Sequence, residues 1–427
     1  MRRGSSALAE RVSSTVPGTF VSGRLADRLS PGTLVEVLDA LDLGGGRWLL
    51  VLRAGGALLA SGVVEEGAGF RRAGAGDGVA EALLALAAAE REEASFSFRK
   101  LGEIGRWTGE RALEVDQSNE STVVGERAVV KRSIWMAPDN RRSVLLPAHL
   151  AAAGFDEMPV PLGHAVWRHE GGIAPIASMA SYLAGARDGW DWYVDLVGRS
   201  IDDPSIEAVE PAAALGALAA RLHVALSTPT EVLPEPRAAA DEDDVAGWRR
   251  AAVQDLDTAL VSIDGDEGER LRVQEVAIRD ELSQLQVRSA TTIPIHGDLH
   301  VGQFLRWRDG LAVSDLDGDP LGSGSLAGAP AKDVASLVQS LDHVGRIVER
   351  RRDASVDTWI EEAKDRCLRD YRGELVARGA ASLFDEELLR PLRVAQELHE
   401  FVYAAEYLPG WRYVPDRSLA AILDAGE

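Results

Sequence analysis

The stretch from Ile293 to Pro320, IPIHGDLHVGQFLRWRDGLAVSDLDGDP, constrains this chain more than any other. Every acid in it is an aspartate: Asp298, Asp309, Asp315, Asp317 and Asp319. Asp309-Gly310 is a turn signal between two short apolar runs, Phe304–Trp307 and Leu311–Val313. The pattern predicts a two-stranded hairpin with one polar group before its first strand and an acidic cluster after its second. A hairpin brings its ends together, so His296, Asp298, His300 and Gln303 should face Asp315 and Asp317 across a small gap. Such a gap suits a hard metal ion and a proton acceptor.

The rest of the chain limits what that gap can serve. At 427 residues it exceeds one ordinary core, so two or three domains are expected. A net charge of −22 argues against nucleic acid or an anionic membrane as partner, because either requires a basic surface. Cys367 is the single cysteine, which rules out an internal disulfide and a thiolate metal cage. The N-terminal MRRGSSALAERVSS lacks an apolar core segment for a secretory signal. No run of about 18 apolar residues is present to span a bilayer, and the cytoplasm is the expected location.

Residues 1–94 read as a separate small unit. Arg47–Arg53 and Ala57–Val64 flank Gly55-Gly56 as a hairpin, Leu34–Leu41 is a further apolar stretch, and Glu81–Glu93 reads as a helix. From Ser95 the pattern turns to strands: Phe96–Ile104, Ala112–Asp116, Thr122–Gly125, Arg127–Ile134 and Pro159–Trp167, with a helix over Arg142–Ala153. Lys131 sits inside an apolar strand, which ordinarily marks the solvated face of an edge strand. After the apolar Ile173–Leu183 and the polar crossing Ala184–Asp191, the periodicity is mostly helical, and Thr228–Asp244 reads as an exposed connector.

Two rival motifs fall short. Asp315-Leu316-Asp317-Gly318 is close to the opening motif of haloacid-dehalogenase-like phosphatases, but Asp319 follows where Thr or Val is wanted. Gly322–Ala327 matches a dinucleotide fingerprint with no βαβ unit around it.

His296-Gly297-Asp298-Leu299-His300-x-x-Gln303, followed by the hairpin and Asp315, resembles the catalytic loop and metal-binding aspartate of the aminoglycoside-phosphotransferase-like kinases. The resemblance implies an α+β, bilobal protein-kinase-like fold with an extra N-terminal cap subdomain and a mostly helical C-terminal lobe. It divides the chain into a cap (1–94), an intermediate nucleotide-binding β subdomain (95–182) and the helical lobe (183–427). The implied cofactors are ATP and Mg2+. Asp298 takes the role of the base that accepts the hydroxyl proton. Gln303 and Asp315 take the metal, and Asp317 can bridge a second ion. His296 and His300 brace the loop, and Asp333 resembles the buried aspartate that holds it from the following helix. Upstream, Ser118, Asn119 and Ser121 fall in the phosphate-covering loop, Lys131 resembles the lysine on the nucleotide phosphates, and Met179 and Ser181 lie in the hinge that meets adenine. The family's helix after that lysine usually carries a Glu; Arg142–Ala153 has none, and Pro147 interrupts it.

Within that group the chain is most similar to bacterial maltokinases and their actinobacterial glucosamine-kinase relatives. Tyr182–Asp191 resembles their crossing, and Glu406–Pro415 resembles the segment closing their sugar pocket. Glu397, His399, Glu406 and Trp411 are the implied sugar contacts, with packing in the last helix pair as the alternative for Trp411. DLDGDP stands where maltokinases tend to show glutamates. The expected partner is a small sugar: glucosamine phosphorylated at its 6-hydroxyl, or maltose at its 1-hydroxyl, with an aminoglycoside-type acceptor third. A nucleotide-binding pseudokinase is the non-enzyme reading, which the intact Asp298, Gln303 and Asp315 oppose. The protein is expected to be a monomer or homodimer.

Overall fold

The computed structural model describes residues 35–425 except 55, 68, 114–119, 134, 137–139, 287–289, 309 and 320–324. It divides into two compact units, one of residues 1–151 and 159–184, the other of residues 152–158 and 185–427.

The first unit holds two antiparallel sheets. In one, β1 (Val35–Gly44), β2 (Arg47–Ala54) and β3 (Ala57–Glu66) lie side by side, and β4 (Gly69–Arg72) pairs with β3. The β2–β3 hairpin closes with Ala54 opposite Ala57, as the glycine pair between them predicts. The helix expected over Glu81–Glu93 is shorter and earlier. It is α1, Val79–Ala88, and Glu92–Glu93 instead forms β5 against β6 (Phe96–Lys100). Alanine-rich propensity suggested a longer helix, but Glu90 turns the chain with φ of 47°, and the edge of the second sheet takes the residues that follow.

That second sheet has seven strands in the order β5-β6-β11-β12-β9-β8-β7. Its remaining members are β7 (Glu110–Ala112), β8 (Glu120–Val124), β9 (Ala128–Arg132), β11 (Pro161–His169) and β12 (Gly172–Ser181). Lys131 therefore lies on an interior strand, not an edge, because β8 and β12 pair on either side of β9. Ala128, Val130 and Arg132 point to the buried face and Lys131 to the other, the alternation a strand imposes. Leu49, Val51 and Ala60 of the first sheet, Leu83 and Ala87 of α1, and Phe98, Val130 and Ile176 of the second share one apolar core. Residues of the N-terminal sheet are thus not packed around a core of their own alone. β10 (Trp135–Met136) pairs with β3, and α2 (Arg142–Ala152) holds Pro147 inside it.

The second unit is helical apart from short strands. Its elements are α3 (Gly189–Asp202), α4 (Glu210–Leu226), β13 (Ala238–Ala239), α5 (Glu242–Ser262), α6 (Gly265–Ser283), β14 (Thr291–Pro294), β15 (Phe304–Trp307), β16 (Gly310–Val313), β17 (Ala327–Gly328), α7 (Pro330–Arg352), α8 (Asp357–Ala377), α9 (Leu389–Tyr407) and α10 (Tyr413–Asp424). The acids at the end of the expected connector are not loop. Asp241 caps α5 by accepting from Asp244 N–H, and the Asp244 side chain accepts from Asp241 N–H, a reciprocal capping box. The predicted hairpin is present: β15 and β16 pair antiparallel, with Phe304 opposite Val313 and Trp307 opposite Gly310.

Candidate active site

The loop between β14 and the hairpin is tied down from below. Asp333, in the first turn of α7, is 1% exposed. Its Oδ2 accepts from His296 N–H at 2.7 Å and its Oδ1 from Gly297 N–H at 2.8 Å. His223 Nε2 lies 3.1 Å from Oδ2, and Tyr371 OH lies 2.7 Å from His223 Nδ1. Burial alone would raise the Asp333 pKa; the His223 bond, the nearby imidazoles and the Gly297 amide outweigh it and hold the carboxyl below its usual range. His296, wholly buried, accepts from Asp298 N–H at 3.4 Å through Nδ1 and donates from Nε2 to Ser314 O at 2.9 Å. One imidazole thus joins the loop to the far end of the hairpin. Ser314 N–H closes the junction by donating to Gln303 O at 2.9 Å.

Asp298 projects from this braced turn with 29% of its side chain exposed. Desolvation pushes its pKa up; the His300 charge pulls it back, and Asp319 pushes it up again. His300 Nε2 lies 3.7 Å from Asp298 Oδ2 and 3.2 Å from the Gln303 amide nitrogen, while His300 Nδ1 accepts from Gly302 N–H. Asp315 follows the hairpin, exposed, with φ of 59°, a left-handed conformation that aspartate bears better than most residues. Asp317 is half-buried. Asp319 reaches His399 Nε2 at 3.3 Å, and Asp255 holds His399 Nδ1 at 3.2 Å. Burial works against a charge on His399, but the two aspartates outweigh it and push its pKa up to about 10.

The donor set fits magnesium. With its amide nitrogen against His300, Gln303 keeps its side-chain oxygen as an acceptor, and its backbone carbonyl accepts from Ser314 N–H, the residue before Asp315. Among the described residues no group of three His, Cys, Asp or Glu side chains is arranged to cage an ion. Few protein oxygens suit an ion whose remaining ligands are phosphates and water.

Aromatic rings extend the site away from Asp298. Trp190, in the first turn of α3, stacks on His300 at 5.6 Å, and Trp411 meets Trp190 edge-on at 6.1 Å. Trp411 also meets His343 at 6.2 Å and Tyr413 at 6.4 Å. Trp411 is half-buried and Glu406 is exposed. Glu397, by contrast, is wholly buried, with Gln339 Nε2 at 2.5 Å and His343 Nε2 at 3.0 Å. Burial raises the Glu397 pKa, while the Glu397 charge and bond lift His343 to about 9 against its own burial. Two glycines allow this assembly. A Cβ on Gly189 would lie 1.8 Å from Val301 O, and one on Gly302 would lie 2.6 Å from the Trp190 ring. Trp190, His223 and His343 are absent from the sequence-derived site. Their one signal was position: Trp190 follows Gly189 at a helix start, and His343 lies one turn from Gln339 on the same helix.

In the first unit, Lys131 is half-buried between Ser121 of β8 and Ser178 of β12, its directly opposed neighbours. Ser118 and Asn119 lie outside the described residues. Met179 is 1% exposed, its side chain in the shared core, with its backbone between Gly163 and Val130 in the sheet. Ser181 ends β12 and accepts from Val160 N–H through Oγ at 2.8 Å. In the second unit a cavity of about 810 Å³ is walled by Ile201, Ile206, Val356 and Trp359, none of them a sequence-predicted site residue.

A lysine on an interior strand of an antiparallel sheet, and an aspartate-anchored loop leading into a hairpin on a helical unit, define a kinase of the protein-kinase-like class. No family model matches the chain. A glucosamine kinase from Streptacidiphilus jiangxiensis is 41% identical over 418 residues, covering 94% of each protein. One from Mycolicibacterium smegmatis is 35% identical over 406 residues, covering 91% of this chain and 98% of that protein. The chain belongs to the glucosamine kinase family. Among solved structures, a glucosamine kinase in complex with glucosamine, ADP and inorganic phosphate matches with a TM-score of 0.79 at 37% identity, covering 97% of this chain and 99% of that one. A second crystal form of a glucosamine kinase matches with a TM-score of 0.84 over the same shares.

Proposed function

We propose that this chain transfers the γ-phosphoryl group of ATP to the 6-hydroxyl of glucosamine, giving glucosamine 6-phosphate and ADP. The observation that carries this reading is the identity of 41% along 94% of both chains with a glucosamine kinase. Asp298 accepts the proton of the sugar hydroxyl as the oxygen attacks. Asp333 and His296 keep its backbone in place. Gln303 and Asp315 hold magnesium, with Asp317 beside them, and the ion supplies charge neutralisation at the phosphates. Lys131, Ser121 and the segment with Ser118 and Asn119 serve the nucleotide phosphates, and the backbone from Met179 to Ser181 serves adenine. Trp411, Glu406 and His399 line the sugar side, and Glu397 backs Trp411 through His343.

The division into a cap (1–94), an intermediate subdomain (95–182) and a helical lobe (183–427) belongs to the same proposal. Among the described residues no helix is long and apolar enough to cross a membrane. The reading has the enzyme using cytoplasmic ATP as a monomer or homodimer, with neither membrane nor nucleic acid as partner.

The test is ADP formation from ATP and magnesium with a panel of sugars. Turnover is expected with glucosamine and should vanish when EDTA removes the metal. Turnover with maltose alone would overturn the substrate, and phosphate release without any sugar would overturn the class.

A further inference from the structure

The acidic segment that follows the β15–β16 hairpin, residues 315–319, is held at both ends. At its start, Ser314 N–H donates to Gln303 O at 2.9 Å, and Ser314 O accepts from His296 Nε2 at 2.9 Å. At its far end, Asp319 meets His399 of α9. Between these anchors lie the acids assigned above to magnesium, Asp315 and Asp317. The backbone there turns at Asp315 with φ of 59° and at Gly318 with φ of 82°. Two left-handed residues within four make a short, sharply turned stretch, so the placement of both carboxylates depends on where its ends are fixed.

The far anchor does not end at His399. The ring's Nε2 lies 3.3 Å from Asp319 Oδ1, and its Nδ1 lies 3.2 Å from Asp255 Oδ2 on α5. A protonated imidazole has two N–H donors and no acceptor. Burial disfavours a charge on this ring, and the two carboxylates outweigh it. Both donors are therefore engaged, one by α5 and one by the acidic segment. The helices that carry the clamp are packed firmly beside it. Ala252, Leu256 and Ala259 of α5 share one apolar cluster with Leu398 and Phe401 of α9. Asp255 and His399 each adjoin a fully buried leucine of that seam, Leu256 and Leu398. Asp255 is absent from the sequence-derived site.

We propose that Asp255 is a positioning residue of the active site: through His399 it fixes Asp319, and with Asp319 the segment that carries Asp315 and Asp317. Asp255 touches neither substrate nor metal. It orients the ring, and the ring holds the carboxylate at the end of the segment. Charge-assisted hydrogen bonds are shorter and stronger than neutral ones, which suits them to a clamp. His399, assigned above to the sugar side, contributes there by placing Asp319. Removing a group that orients metal ligands from behind typically costs 10–100-fold in metal affinity or activity. Asp255 acts through two further side chains, so the lower end of that range applies. This inference rests on the assignment of Asp315 and Asp317 to magnesium.

The test is Mn2+ binding to the full chain at saturating ADP, followed by the electron paramagnetic resonance signal of the free ion. ADP affinity in EDTA, measured by titration calorimetry, is the control. Asp255→Ala should weaken Mn2+ binding about tenfold and leave metal-free ADP affinity within about twofold. Asp255→Asn keeps an acceptor oxygen for Nδ1–H without its charge and should weaken Mn2+ binding by a smaller factor, about threefold. If Asp255→Ala does not fold, the near-isosteric Asp255→Asn carries the comparison. In a His399→Gln background Asp255→Asn should weaken Mn2+ binding no further, because its path runs through the ring. Unchanged Mn2+ affinity in the folded variants, even with a lowered melting temperature, would show that the contact only joins α5 to α9 and overturns the proposal. Mn2+ and metal-free ADP affinities falling together overturn it as well. A chain whose Mn2+ affinity survives Asp315→Ala would instead bring down the metal assignment, and this inference with it.

Discussion

Asp298 and Asp333 are neighbouring carboxyls of one site with opposite shifts, and the cause lies in what surrounds each. Asp333 has its oxygens filled by the His296 and Gly297 amides and by His223. Asp298 has its charge disfavoured first by desolvation, with Asp319 and Glu400 adding like charges. The first arrangement builds an anchor, the second a group free to take a proton. Asp298→Asn, with its shape retained, should bind ADP as the wild type does and lose about 10²–10⁴ in kcat; full turnover in this variant would remove Asp298 as the base. Asp333→Ala leaves a buried amide, a half-buried one and a buried imidazole without their acceptor. We expect a loss of about 3 kcal/mol or more in unfolding free energy together with a fall in kcat, and a denaturant titration unchanged from wild type would contradict the anchoring role. The hairpin that separates Asp298 and Gln303 from Asp315 was legible in the sequence because its turn signal is local. His223 and His343 were not, since each reaches the site only through the packing of distant helices.

At the scale of elements, the hairpins were legible for a physical reason: a glycine turn between two apolar runs leaves few alternatives. Helix ends were less so. The α1 helix stops at Ala88 because the next residues complete a sheet, a tertiary demand that alanine propensity cannot reveal. The Asp241–Asp244 acids looked like a solvated run and are in fact a cap, since only the direction of the following helix tells the two apart. The start of α3 shows what a single position decides for an element. Gly189 lets the helix meet the 296–303 loop at Val301, and Gly302 lets the loop meet Trp190. Gly189→Ala must push α3 and the loop apart, because the atom in the way is backbone. The expected result is destabilisation of about 1–3 kcal/mol by overpacking and a glucosamine KM raised with the Trp190 displacement. A Gly189→Ala enzyme with wild-type melting temperature and KM would show that the contact is not tight.

Across the whole helical unit, α7 is buried along most of its length and carries Gln339, Asp342, His343 and Arg346 inward. Asp342 accepts from Ser418 Oγ of α10 at 2.6 Å and from Arg346 at 3.1 Å, and Lys364 of α8 lies 3.6 Å away. His343 and Gln339 join α7 to α9 through Glu397. Such a network links four helices by ionised groups, so the unit's stability depends on pH. His343 has its pKa raised from 6.5 to about 9, and His399 from 6.5 to about 10. A raised histidine stabilises the fold fully below its unfolded pKa and loses that contribution as pH climbs through the folded value. Melting temperature should therefore fall between pH 6.5 and pH 10, with His343 accounting for about 3 kcal/mol of the loss. His343→Gln lowers stability at every pH, because Glu397 loses its cation, but it should flatten the slope over that window. Calorimetric melting across the range decides it: a wild-type curve that rises toward pH 10, or a His343→Gln curve as steep as the wild type's, would show that the buried pair does not carry its charge in the folded protein.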